Sequence, residues 1–101
     1  MNTVVINKGE SVHLNLTYNN SDGTPIDLTG ATLLIPEALP AELLGGTVVV
    51  QGDPLNGNAL LFIPASLSAS MGAGKVNWIR ISMETPEDVK DVSPKIWIDV
   101  Q

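Results

Sequence analysis

Hydrophobic and polar residues alternate with a period of two along residues 11–18. Because successive side chains of a β-strand point to opposite faces of a sheet, this pattern predicts a half-buried antiparallel strand. The apolar or aromatic set is Val12, Leu14, Leu16 and Tyr18, and the polar set is Ser11, His13, Asn15 and Thr17.

Further short strands are predicted between turn-forming residues along the rest of the chain. Residues 75–83 carry apolar side chains on both faces, which predicts a central strand, and residues 31–35 predict a strand covered on both faces. Asn56-Gly57 predicts a hairpin between its flanking strands. Single helical turns are predicted near residues 40–44 and 65–71. The other predicted strands are residues 4–6, 47–51, 60–63, 89–92 and 96–100.

Length and composition set the size of the predicted domain. The 101 residues make one domain, residues 1–101, with a single two-layer core. Only four residues are aromatic, so Val, Ile and Leu must fill most of the interior, which favours β structure. The number and spacing of the strands predict an all-β fold, an immunoglobulin-like antiparallel β-sandwich of about seven short strands. No cysteine is present, so only the architecture of antibody domains is implied and not their disulfide.

Charge and apolar run lengths restrict the classes of partner. Eleven acidic residues outnumber five basic ones, giving a formal net charge of −6, so a nucleic acid would be repelled. No apolar run approaches the ~20 residues that cross a bilayer, so no membrane partner is expected. The first eight residues lack the basic start and long apolar run of a signal peptide. We therefore expect synthesis in a cytoplasm.

No nucleophilic or phosphate-binding motif is found. The single histidine, His13, lies on the polar face of a predicted strand, without a second imidazole or a nucleophile-elbow serine. Residues 72–75 read Gly-Ala-Gly-Lys, but Val76 stands where a phosphate loop needs a hydroxyl, so this segment is read as a turn. We expect no catalytic residue and no cofactor.

Carboxylates are the only plausible metal ligands in the sequence. A calcium ion bound by carboxylates and loop carbonyls is chemically possible. Neither acidic cluster has the ligand spacing of a known calcium loop, and turn capping explains both, so no metal site is predicted. The two clusters are Asp22 with Asp27, and Glu84, Glu87, Asp88 and Asp91.

Residues 18–28 join two predicted strands and are dense in turn-forming residues. Asp side chains bond to nearby backbone groups, glycine accepts a positive φ, and proline fixes φ at a value an extended chain tolerates. A structural loop is therefore predicted, with a positive φ at Gly23 or Gly30. The turn residues are Asp22, Gly23, Pro25, Asp27 and Gly30.

This loop resembles a segment of small modules from tailed-bacteriophage virions, of the baseplate upper-protein and tail-fibre-adaptor type. The resemblance implies an immunoglobulin-like sandwich with structural motifs and no catalytic residues. Residues 36–46 depart from the family pattern, because an Ala/Leu/Pro/Glu segment replaces a charged strand. The close matches are Gly9, Val12, Leu14, Leu16, residues 22–25, residues 27–30 and Thr32, and the looser ones are residues 65–67, Gly74, Lys75 and residues 78–81.

Two tryptophans and three leucines are the candidate contact residues. Trp78 is expected in the core, because a large residue on a central strand fills a sandwich well. Trp97 alternates with apolar neighbours and should point outward, where an indole favours a protein partner. Burial beneath a neighbouring loop is the alternative for these outward residues. The predicted interface residues are Trp97, Leu39, Leu43 and Leu44.

The sequence thus predicts a non-enzymatic virion structural protein that docks on a larger assembly in the tail, baseplate or fibre-attachment region. Its expected partners are other virion proteins, with a homo-oligomer or multiple copies on a symmetric particle. Its expected location is the virion, after synthesis in the host cytoplasm. A capsid decoration protein on the head surface is the nearest alternative. A carbohydrate-binding module and a small acidic inhibitor of a host enzyme are alternatives from other classes.

Overall fold

The computed structural model describes residues 3–101, which form eight strands and three short helices. Two of the helices are 3₁₀ helices, Ala41–Gly45 and Pro54–Asn56, and the third is one α-helical turn, α1 (Ala65–Ser68). The predicted turns near residues 40–44 and 65–71 are therefore confirmed. The strands are β1 (Thr3–Ile6), β2 (Val12–Thr17), β3 (Thr32–Leu39), β4 (Thr47–Val50), β5 (Asn58–Ile63), β6 (Gly74–Glu84), β7 (Lys90–Val92) and β8 (Ile96–Val100).

The strands form two sheets that pack face to face. The larger sheet has the order β1-β8-β6-β3, and β7 pairs with β6 beyond the end of β8. The smaller sheet has the order β2-β5-β4. Neighbouring strands are antiparallel except β1, which runs parallel to β8. One sheet contains β2, β4 and β5, and the other contains β3, β6 and β8, which is the arrangement of an immunoglobulin-like sandwich. The predicted fold class is therefore confirmed.

The core lies between the inner faces of the two sheets and is built mainly from aliphatic side chains. Alternation in β2 and β8 behaves as predicted, since their apolar positions face inward and the residues between them face away. The 3₁₀ helix Ala41–Gly45 closes one side of the core. The buried cluster is Ile6, Val12, Ile35, Leu43, Val48, Ala59, Leu61, Ile63, Met71, Ile79, Ile81, Ile96, Ile98 and Val100.

Strand β3 differs from its prediction in length and in exposure. The predicted strand ended at Ile35, whereas β3 continues to Leu39. It was expected to be covered on both faces, but it lies at the edge of the larger sheet and Leu34 is 46% exposed. A β-bulge between Leu34 and Glu37 accommodates Pro36, which has no N–H for a regular ladder. The bulge shifts the alternation of side chains, so the strand predicted from alternation ended at Ile35, before the end of β3 at Leu39.

Strand β6 is central in the larger sheet, as predicted, with β3 on one side and both β8 and β7 on the other. Its inner face also buries a polar residue, Asn77. The Asn77 side-chain amide donates to the carbonyls of Gly72 (2.7 Å) and Ile98 (3.4 Å) and accepts from the Gly72 N–H (3.0 Å). The amide is thereby satisfied, and it fixes the chain reversal that precedes β6.

Candidate docking surface

The larger sheet has a second face that no other layer of the described chain covers. Strand alternation and register assign its residues, and we call this set the outer face. It combines aromatic, aliphatic and charged side chains. The outer face consists of Thr3, Val5, Thr32, Leu34, Glu37, Leu39, Val76, Trp78, Arg80, Ser82, Glu84, Lys90, Val92, Lys95, Trp97 and Asp99.

A row of large apolar side chains crosses the middle of this face. Trp97 of β8 lies opposite Trp78 of β6, and Trp78 lies opposite Leu39 of β3. The predicted outward direction of Trp97 is confirmed, and its indole is half-buried. The prediction that Trp78 fills the core is wrong, because its neighbours Asn77 and Ile79 face inward and alternation then turns Trp78 outward. Both tryptophans therefore lie on one surface.

The ammonium group of Lys95 lies over this tryptophan pair. Its Nζ is 4.5 Å from the centroid of the Trp78 ring and 5.7 Å from that of Trp97. These are cation–π distances, each contributing ~0.5–1 kcal/mol at an exposed site. The two indole faces are thus held side by side beneath a positive charge that belongs to the same chain.

Aliphatic side chains extend the apolar character across the rest of the outer face. Nine large hydrophobic residues are exposed within the described part of the chain, and five of them lie on this face. Their exposed fractions range from 46% to 62%. A concentration of this kind on one side of a small domain indicates an interaction surface. The five residues are Val5, Leu34, Leu39, Val76 and Val92.

The corresponding face of the smaller sheet is mostly polar. His13, Asn15 and Thr17 of β2 point outward there, and Val49 of β4 is its one large exposed hydrophobic among the described residues. The Phe62 ring is half-buried, with its centroid 4.9 Å from that of the His13 ring. The larger sheet therefore carries the more apolar of the two outward faces and is the candidate docking surface.

A shallow groove of about 350 Å³ lies on the outer face above Ser82. Its walls come from β3 on one side and β7 on the other, and both apolar and charged side chains line it. Leu34 and Val92 are its aliphatic contributions. The other lining residues are Thr32, Pro36, Glu37, Glu84 and Lys90.

Charge on the outer face is balanced, in contrast to the rest of the molecule. Arg80, Lys90 and Lys95 contribute three positive charges, and Glu37, Glu84 and Asp99 contribute three negative charges. The other residues of the chain include two basic and eight acidic side chains, so the whole net charge of −6 lies off this face. The outer face is therefore a part of the surface that an acidic partner meets without net repulsion.

Arg80 occupies the centre of the outer face and is incompletely bonded. It lies opposite Glu37 across the β6–β3 ladder. Its Nε is buried and forms no hydrogen bond within residues 3–101. A buried donor without a partner costs free energy, so the guanidinium at the centre of this face is not fully satisfied.

The predicted interface leucines separate into different environments. Leu39 is 52% exposed on the outer face, and Leu44 is 47% exposed on the 3₁₀ helix. Leu43 is completely buried in the core, so its prediction as an interface residue is wrong. The helix turns Leu43 inward, and the following backbone packs so closely that a Cβ at Gly46 would lie 3.0 Å from Ile63.

The residues of the 18–28 loop form turns, and none of them lines the groove. Asp22 Oδ1 accepts hydrogen bonds from the Thr24 N–H and Oγ1 at 3.0 and 2.6 Å, and Asp27 Oδ1 accepts the equivalent pair from Thr29 at 2.9 and 2.6 Å. These bonds, the hydroxyl bond first, lower the pKa of both carboxyls. Gly23 and Gly30 have φ of 89° and 73°, which confirms the predicted positive φ, and Pro25 bridges to Asn19.

Three further findings concern metal binding, the single histidine and membrane crossing. Within residues 3–101, no group of three or more His, Asp or Glu side chains is arranged to hold a metal ion. His13 Nε2 lies 3.1 Å from the Ser11 hydroxyl on the exposed face of β2, away from the groove. No helix in this range is long and apolar enough to cross a membrane.

The sequence pattern missed several outer-face residues that the fold brings together. Arg80 and Val76 share the phase of Trp78 in β6, and Val92 and Leu34 flank Ser82 in the neighbouring strands. Alternation along β6 places Val76 and Arg80 on the same side of the strand as Trp78. The prediction that Trp78 lies in the core assigned that side to the interior, so these residues were missed. Comparison with known proteins gave no match to any family model and no match to any curated protein.

Proposed function

We propose that this protein is a non-enzymatic structural module of a tailed-phage virion that docks on a larger assembly in the tail, baseplate or fibre-attachment region. The observation that carries the docking role is the outer face, where Trp78, Trp97 and five exposed aliphatic residues lie on one sheet. The virion setting rests on the resemblance of residues 22–32 to phage modules.

The proposed mechanism is geometric. The sandwich is a rigid scaffold that presents a flat, apolar and charge-balanced sheet face to a protein partner. Tryptophan and arginine are the side chains that most often dominate binding energy at protein interfaces. Multiple copies on a symmetric particle would add avidity, so that no single contact has to be tight.

Capsid decoration is the nearest alternative, and it uses the same surface on the head. Mass spectrometry of purified particles with copy-number measurement distinguishes the two locations. A small multiple of three or six copies supports the tail region, and hundreds of copies support the head. Absence of the chain from particles made by the organism that encodes it would contradict both.

The docking surface itself is tested by particle incorporation of a Trp97→Ala variant. We expect the variant to fold and to lose most incorporation, because truncating an interfacial tryptophan weakens binding by roughly thirtyfold or more. Val49→Ala is the matched control, since Val49 is exposed on the smaller sheet. Equal incorporation of Trp97→Ala and the parent would contradict docking through the outer face.

A carbohydrate-binding module would use the same two tryptophans as a stacking platform. The Lys95 ammonium group lies over both rings and would have to move before either a sugar or a protein partner packed on them, so its position does not separate the two functions. Titration with neutral oligosaccharides, followed by tryptophan fluorescence, is expected to give no saturable change. A saturable change that Trp78→Ala and Trp97→Ala abolish would favour the carbohydrate function instead.

A further inference from the structure

We propose that the outer face binds the outer face of a second copy of this chain and forms a two-fold symmetric dimer. The second copy is the partner of the docking surface, and this inference rests on the proposed function of that surface. Three properties of the face bear on it: charge balance, a self-complementary arrangement of rows, and area.

Charge balance allows two copies to approach each other through this face without net repulsion. Each copy carries a net charge of −6, and all of it lies outside the outer face. Association through the surfaces that carry this excess would bring carboxylates together, whereas the outward face of the smaller sheet is uncharged but mostly polar. Association through the outer face brings together two surfaces that each carry three positive and three negative side chains.

The rows of the outer face are arranged around Arg80 so that a two-fold axis makes them complementary. The tryptophan row lies at Trp78, two residues before Arg80, and the groove lies at Ser82, two residues after it. Consider a two-fold axis that lies in the interface, parallel to the sheet, and crosses the strands at the level of Arg80. This axis exchanges the two levels. The indoles of each copy then lie over the Leu34 and Val92 groove of the other, in aligned sheet packing.

The same axis pairs opposite charges at both ends of the face. Asp99 lies one alternate position beyond Trp97 on β8, and Lys90 lies opposite Glu84 on β7. These two residues are about equally far from Arg80 in opposite directions, so Asp99 of each copy meets Lys90 of the other. At the level of the axis, Arg80 and Glu37 lie side by side in each chain and face their own counterparts in the second copy.

The area of the outer face is smaller than that of a standard interface and suits a weak dimer. The five strands of this sheet contain 31 residues, and each residue covers about 16 Å² of the sheet. The projected area is therefore on the order of 500 Å² per copy, against ~800 Å² per partner in a standard interface. A dissociation constant in the micromolar range is expected for an interface of this size.

Sedimentation equilibrium of the purified full chain tests the proposal. We expect a reversible monomer–dimer equilibrium for the parent and a dissociation constant raised about thirtyfold or more by Trp97→Ala. Val49→Ala is expected to dimerise like the parent. A parent that stays monomeric up to about millimolar concentration, far above the micromolar range expected for this area, would overturn the proposal. So would a dimer that Trp97→Ala leaves intact.

Charge reversal tests the two-fold arrangement itself. Asp99→Lys and Lys90→Asp, made separately, are each expected to weaken the dimer by at least about tenfold, and the double variant is expected to restore it. Lys8→Asp makes the same charge change in an exposed turn and controls for net charge. Circular dichroism verifies that each variant is folded. A double variant weaker than both single variants would overturn the proposed pairing.

Particle incorporation of the same variants separates this inference from the proposed function. A monomeric parent whose incorporation depends on Trp97 would overturn the dimer and retain docking on the virion. A dimer that is absent from particles would retain the dimer and overturn the virion function.

Discussion

At the residue scale, two aspartates organise the long loop between β2 and β3. Asp22 and Asp27 each accept a backbone N–H and a threonine hydroxyl two residues later. The repeated Asp-x-Thr pattern gives two consecutive side-chain turns that are local in sequence. Because the hydrogen bonds favour the ionised carboxylate, the pKa of each carboxyl is lowered from its usual value of 3.8.

Asp22→Asn and Asp27→Asn are expected to reduce the sensitivity of the fold to acid. A carboxyl whose pKa is lower in the folded state stabilises the fold above its unfolded pKa, and this contribution disappears as pH falls through the folded pKa. The parent should therefore exceed the variants in stability at neutral pH, and the difference should close below about pH 4. Denaturant unfolding between pH 7 and pH 2 measures this. An unchanged difference across the range would contradict it, and Glu42→Gln controls for net charge.

Gly57 combines a required conformation with a close backbone contact. Its φ is 69°, and a Cβ at this position would lie 2.5 Å from the Tyr18 carbonyl oxygen. The Tyr18 N–H in turn donates to the Gly57 carbonyl at 2.8 Å. The turn predicted from Asn56-Gly57 is thus also the point where the β4–β5 hairpin supports the long loop.

Gly57→Ala is expected to destabilise the protein more than Gly23→Ala. Both positions have positive φ, which costs alanine roughly 1 kcal/mol or more, but nothing lies within 4 Å of a Cβ at Gly23. The additional cost at Gly57 is expected to be at least ~1 kcal/mol because backbone must move. Urea unfolding of the two variants measures the difference, and equal midpoints would show that the loop relaxes freely.

At the element scale, the 3₁₀ helix Ala41–Gly45 separates two adjacent leucines. Leu43 is completely buried, whereas Leu44 is 47% exposed. The sequence shows both as apolar residues in a proline-bracketed segment without strand alternation, so it does not tell them apart. The docking of this short helix onto the core decides which one is inside.

Leu43→Ala and Leu44→Ala form a matched pair that tests this assignment. Leu43→Ala is expected to cost ~2–5 kcal/mol, because it removes buried methyl groups and leaves a cavity. Leu44→Ala is expected to change the free energy of unfolding by less than ~0.5 kcal/mol. Thermal or urea unfolding measures both. Similar losses would indicate that the helix packs differently.

At the scale of the whole molecule, both tryptophans of the chain lie next to each other on the outer face. Tryptophan fluorescence therefore reports on this face and on no other part of the surface. The remaining aromatic residues, Tyr18 and Phe62, belong to the smaller sheet or to its end.

Docking of the outer face is expected to protect both indoles from an added quencher. Acrylamide should quench a dilute sample efficiently, because both indoles are only half-buried. Quenching should weaken and the emission should shift to shorter wavelength as the face becomes covered by a partner or a second copy. The Trp78→Phe and Trp97→Phe variants assign the signal. Quenching that does not change on association would place the interface elsewhere.

Much of the fold could be predicted from the sequence because strand alternation and turn chemistry are local. Residues 12–18, 75–83 and 96–100 show the alternation that the strands retain, and the glycines of the long loop have the positive φ that their turns require. The outward direction of Trp97 was also predictable, since its two isoleucine neighbours fix the inner face of β8.

The rest was decided by tertiary structure, for identifiable physical reasons. Alternation shows which residues of a strand share a face, but it does not show which face meets the core. Because β6 has apolar residues on both faces, the sequence did not determine whether Trp78 points inward. The bulge at Pro36 changed the phase of β3, which brought Leu39 beside Trp78. Burial of Leu43 depended on where a five-residue helix docks. The sequence by itself therefore determined most of the strands, their turns and the sandwich. Only the pairing of β3, β6, β7 and β8 assembled the outer face, because its residues are distant in the chain and meet through the ladder.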